Sequence, residues 1–119
     1  QYIFQDIKGS YTAVSNEFIQ DKELFNKEKG LLLTILSNAD EWRVYPEELA
    51  RRCKDSESAI RSQLKALENA KYIRTYRKSF GGRYGTETYR FCSDRKISDE
   101  AFNTLKAEQD LELEKIANT

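Results

Sequence analysis

Pro46-Glu47-Glu48-Leu49-Ala50, followed by Ser56-Glu57-Ser58-Ala59-Ile60-Arg61-Ser62-Gln63-Leu64-Lys65-Ala66-Leu67-Glu68-Asn69, decides how this chain folds. Pro46 suits the first position of a helix, where its missing N–H costs nothing. Glu47 and Glu48 then fall in the first turn, where acidic groups complement the helix dipole. Leu49, Ala50 and Cys53 form the expected buried stripe. Lys54-Asp55 reads as a turn, and Asp55 or Ser56 can cap a following helix that runs to about Asn69. Ile60, Leu64 and Leu67 recur at i, i+4 and i+7 and so share one helical face. The opposite face carries Ser56, Glu57, Ser58, Arg61, Ser62 and Lys65. Ala50 is small where the two helices are expected to cross closely.

Working outward, residues 72–77 alternate and favour strand, and so do residues 86–91. Between them Ser79-Phe80-Gly81-Gly82-Arg83-Tyr84-Gly85 is rich in turn formers, so the segment reads as a β-hairpin. Upstream, Asn26 is a good helix N-cap, and the run Leu31-Leu32-Leu33-Thr34-Ile35-Leu36 is apolar on more than one face. That pattern predicts a central helix ending near Ser37-Asn38. Residues 11–14 read as a short strand, and Glu17-Phe18-Ile19 as a single turn. Trp42-Arg43-Val44 is either a short strand or an extended link, with Trp42 read as core. Residues 1–10 read as an arm. Ser98 caps a last helix, with Ile97 and Phe102 spaced for a hydrophobic staple. Phe102, Leu105, Leu113 and Ile116 lie roughly on one side of it, interrupted by Gln109.

Composition removes several classes of function. The chain has 119 residues, which suits one domain. It contains no His, so no His-based triad, general base or metal ligand exists. Two Cys are too few for a structural zinc site and read as free thiols filling small core spaces. No apolar run approaches the roughly 20 residues that span a bilayer, and no signal peptide is visible, so the expected location is cytoplasmic. The absence of Met implies that the chain begins inside a longer product or was trimmed. The expectation is a non-enzyme without cofactors.

The 20 basic and 20 acidic residues sum to zero, but they are segregated. Residues 1–42 carry a net −3, residues 43–96 a net +7 and residues 97–119 a net −4. A basic module between acidic flanks points toward nucleic acid, against what the neutral total suggests.

The order strand, helix, link, helix, turn, helix, hairpin is the layout of a winged helix-turn-helix domain. The expected fold is therefore mainly α with a small antiparallel hairpin: an arm at 1–10, a winged helix at 11–96 and an acidic C-terminal helix at 97–119. A helix entering the major groove presents its N-terminal half to base edges. This nominates Ser56, Ser58, Arg61, Ser62 and Lys65, with Arg61 able to bond guanine or phosphate. Ser56 and Ser58 are capping residues first. Arg77, Lys78, Arg83 and Tyr84 on the hairpin suit backbone or minor-groove contact. Arg51 and Arg52 fit phosphate contact or plain solvation. Glu57 would repel phosphate, and serves either a cytosine amino group or the helix dipole.

Tyr11-Thr12-Ala13-Val14-Ser15-Asn16-Glu17-Phe18-Ile19, Lys29-Gly30-Leu31-Leu32, Trp42, Glu48-Leu49-Ala50, Ala59-Ile60-Arg61 and Leu67-Glu68-Asn69-Ala70-Lys71-Tyr72-Ile73 resemble winged-helix domains in phage and plasmid replication proteins of Gram-positive bacteria. Similar domains occur in transcriptional regulators. The resemblance covers about residues 11–91. It implies binding of double-stranded DNA by a replication initiator, with other replication proteins as partners. One departure is Lys71, where the family usually has the Gly that a left-handed helix end favours. A transcriptional regulator and a protein-interaction winged helix that does not touch DNA are the alternatives. The last helix either folds back on the domain, pairs with its copy in a homodimer, or begins a linker.

Overall fold

The computed structural model describes residues 10–38 and 44–117. Their order is α1 (Asn16–Ile19), α2 (Asn26–Leu36), α3 (Pro46–Arg51), α4 (Glu57–Asn69), β1 (Ile73–Ser79), a 3-10 turn (Gly82–Tyr84), β2 (Thr86–Cys92) and α5 (Asp99–Ala117). Among the described residues the fold is mixed α+β: five α-helices and one antiparallel two-stranded hairpin. None of its helices is long and apolar enough to cross a membrane among the described residues.

Each of the first four helices and β1 sends at least one side chain to a common centre. Phe18, Leu32, Leu49, Ile60, Leu67 and Ile73 are fully buried there. The i, i+4, i+7 spacing on α4 thus performs the expected packing. Pro46 is at the start of α3, and Glu47 and Glu48 fill its first turn. The Ser56 hydroxyl accepts from the Ala59 N–H at 3.2 Å and caps α4. Gln63 is also buried on α4, and it donates to Asp55 at 2.7 Å.

The end of α4 explains how the chain manages without Gly at position 71. The Tyr72 N–H donates to the Leu67 carbonyl and the Lys71 N–H to the Glu68 carbonyl, both at 3.0 Å. These two bonds close a helix end that requires a left-handed residue between them. Lys71 adopts that conformation itself, at φ 72°. Tyr72 is then delivered into the core, edge-on to Phe18 at 5.0 Å, with its hydroxyl donating to Asp21 at 2.7 Å.

Three expectations need correction or narrowing. Residues 11–14 form no strand; Val14 packs on the core, and the Ser15 N–H donates to Asp94 Oδ2 at 2.6 Å. A side chain, not a ladder, fixes this segment. Val44 is buried and belongs to no strand, and its carbonyl accepts from Arg90 Nη1 at 2.9 Å. Trp42, Arg43 and the arm over residues 1–9 lie outside the described residues. Cys53 is exposed, because α3 ends at Arg51 and the chain turns away before the stripe reaches it. Cys92 does pack against the core, and burial pushes its thiol up to about 12.

Ser98 caps α5, accepting from the Ala101 N–H at 3.1 Å. Residues 102, 105, 106, 109, 110 and 113 are its half-buried face. Phe102 meets Phe91 edge-on at 6.1 Å, and the Arg74 guanidinium lies 4.5 Å from the centre of the Phe102 ring. The helix therefore folds back along the hairpin, and Gln109 belongs to the packed face.

Candidate nucleic-acid interface

Strand alternation divides the hairpin into two faces. The register pairs Thr75 with Arg90 and Arg77 with Thr88, and on the other face Arg74 with Phe91, Tyr76 with Tyr89 and Lys78 with Glu87. The first face turns toward α4. Between them lies an open groove of about 290 Å³, where Arg61, Lys65 and Glu68 from α4 meet Thr75, Arg77 and Arg90 from the strands. The second face turns toward α5. There Arg74 bonds Asp99 at 2.8 Å, Tyr76 donates to Asp110 at 2.8 Å, and Lys78 reaches the same Asp110 oxygen at 2.6 Å.

The groove holds four cations and one acid. Burial lowers the pKa of the Arg90 guanidinium; Glu68 opposes that effect, and the charges of Arg77 and Arg61 add to it. Crowded cations at the mouth of a groove attract an anionic ligand, because low-dielectric walls focus their field. Lys65 and Arg77 carry no ion pair among the described residues, so their charge is not already neutralised. Arg61 differs. Its Nη2 lies 2.7 Å from Glu57 Oε1 and 3.8 Å from Glu47 Oε2.

The residues nominated from sequence separate into groups. Ser56, Ser58, Arg61, Ser62 and Lys65 are all exposed along α4, with the Ser56 hydroxyl occupied by its cap. Arg77 joins them across the groove. Arg83 and Tyr84 occupy the exposed turn at the hairpin tip, the guanidinium 5.7 Å from the ring centre. Arg51 is exposed at the end of α3 and lies 3.6 Å from Glu48. Lys78 is not brought to the groove. It sits one residue from Arg77, so it points to the other face and into the Asp110 contact. Arg90 was not singled out by sequence reading. Its signal was the hairpin register, which places it opposite Thr75 on the groove side.

Among the described residues no cluster of three or more His, Cys, Asp or Glu could hold a metal ion. No protein-family model, curated protein or solved structure matches the chain.

Proposed function

We propose that this chain is a winged helix-turn-helix module that binds double-stranded DNA, with α3 and α4 as the helix-turn-helix and the hairpin as the wing. The observation that carries the reading is the groove in which Arg61, Lys65, Arg77 and Arg90 converge between α4 and the hairpin. In this reading α4 enters the major groove, and Lys65 and Arg77 take phosphates on its border. Arg83 and Tyr84 at the hairpin tip reach the next stretch of backbone. The module carries out no chemistry of its own. Its resemblance to replication proteins of phages and plasmids favours a replication initiator over a transcriptional regulator.

A second reading is a winged helix that binds protein. The pairing of Arg51, Arg52 and Arg61 with glutamates favours it, because those charges are partly neutralised before any ligand arrives. Salt dependence separates the two. A DNA binder releases counterions, so its affinity for duplex falls steeply and linearly on a log–log plot against salt. Fluorescence anisotropy of labelled duplex at several salt concentrations tests this directly. Absence of duplex binding at low salt would leave the protein-binding reading.

A further inference from the structure

The first turn and a half of α4 contains an arrangement that a simple phosphate contact would not need. Arg61 Nε and Nη2 both donate to Glu57 Oε1, at 3.2 Å and 2.7 Å. Those two donors form the side-on edge of the guanidinium, and Glu57 occupies it. The end-on edge, made by Nη1 and the second proton of Nη2, carries no hydrogen bond among the described residues. Glu57 Oε2 is likewise without one. The pair is exposed, with the Arg61 side chain at 57% and that of Glu57 at 47%. A third group, Glu47, stands 3.8 Å from the same Nη2, close enough to add negative charge but too far for a hydrogen bond.

Two carboxylates beside one guanidinium make a poor phosphate site, since any phosphate drawn to Arg61 also approaches both acids. Neutral acceptors do not suffer that repulsion. The groups of the pair left without hydrogen bonds among the described residues are two donors, Nη1 and the second proton of Nη2, and one acceptor, Oε2. The major-groove edge of a G·C pair reads acceptor, acceptor, donor, through guanine N7 and O6 and the cytosine amino group. An A·T pair reads acceptor, donor, acceptor before its methyl group, and does not match.

Resting on the DNA-binding reading above, we propose that Glu57 and Arg61 act as one unit that recognises a single G·C base pair. Arg61 donates end-on to guanine, while Glu57 holds the guanidinium and accepts from the cytosine on the opposite strand. Glu57 is then a specificity determinant that lowers affinity for unselected duplex, because its charge faces the phosphates wherever the correct pair is absent.

Site selection from a random duplex pool with the full chain tests this, using wild type, Glu57→Ala and Arg61→Lys, each checked for folding by circular dichroism. Wild type is expected to enrich sites with one invariant G·C pair. Replacing that guanine with 7-deazaguanine should weaken binding about tenfold, whereas inosine, which keeps N7 and O6, should bind as guanine does. Glu57→Ala should cut discrimination at that position about tenfold and raise affinity for unselected duplex. Arg61→Lys, which retains charge but not the planar fork that Glu57 holds, should weaken the same preference. Enrichment of a site whose base preferences are unchanged in both folded variants would overturn the proposal while leaving DNA binding intact. Failure of wild type to enrich any duplex at low salt would overturn the DNA reading and this proposal with it.

Discussion

The carboxylate of Asp110 on α5 lies 2.6 Å from the ammonium of Lys78 on β1, on the hairpin face turned away from α4. This contact makes the last helix a brace behind the hairpin. The hydrogen bond from Lys78, and then that from Tyr76, holds the Asp110 carboxyl below its ordinary range; the bond to Asp110 raises Lys78. The signs fix the pH window. The Asp110 contribution is present above its unfolded value of 3.8 and disappears as pH falls through the lowered folded value. The Lys78 contribution is present below 10.5 and disappears as pH rises through the raised one. Docking of α5 should therefore be insensitive to pH between those limits. Asp110→Asn should speed amide exchange in α5 and the hairpin and leave α4 unchanged, as read by hydrogen-exchange mass spectrometry. Equal acceleration throughout the molecule would show that α5 is not an independent brace.

Tyr72 joins the core to the surface. Its ring is buried against Phe18, while its hydroxyl donates to Asp21 at 2.7 Å. Burial is the main cause of its raised pKa, and the Asp21 bond adds to it. Tyr72→Phe keeps the packing and removes the bond. It should cost about 1.5–3 kcal/mol, as expected for a hydrogen bond to a charged acceptor. Urea denaturation should show a lower midpoint at an unchanged slope.

Lys71 pays the steric penalty of a left-handed residue at φ 72°. Gly carries none there, although it gains more entropy in the unfolded chain. Lys71→Gly is expected to stabilise the domain by about 0.5–1 kcal/mol, read from the same urea curves. A destabilised Gly variant would mean that the Lys71 side chain makes a contribution its backbone geometry conceals.

Glu28 is buried on α2, and its Oε2 has no hydrogen-bond partner among the described residues. An unpaired polar atom in a core is costly. Glu28→Met, which keeps the length and removes the polar atoms, should raise the thermal midpoint by the equivalent of about 1 kcal/mol. A fall in Tm would argue that Glu28 has a functional or positioning partner.

Local signals account for the parts that sequence reading recovered. Ser56 and the Ile60, Leu64, Leu67 spacing define α4, and three glycines at 81, 82 and 85 mark the hairpin, all with positive φ. What was missed depends on distant partners. Residues 11–14 have strand-like composition, but the next residue, Ser15, donates its N–H to the Asp94 side chain, and no ladder forms there. Lys78 and Arg77 look equivalent as neighbouring cations. Alternation separates their faces, yet nothing local says that Asp110, 32 residues away, will cover one of them. Arg90 stands beyond the glycine-rich loop, and only the register brings it beside Thr75. Cys53 fits the helical stripe by spacing, but α3 stops before reaching it.

Under the proposed function, the groove between α4 and the hairpin binds duplex DNA through its unpaired cations. Lys65 and Arg77 line that groove from opposite sides. The most direct measurement compares wild type with the Lys65→Ala/Arg77→Ala double variant by anisotropy on duplex DNA over a range of salt concentrations. The predicted result is weaker binding at low salt and a log K against log salt slope shallower by about 2, one unit for each lost phosphate contact, in a variant with unchanged folding. Unchanged affinity and slope in the folded variant, or no duplex binding by wild type at low salt, would contradict the account.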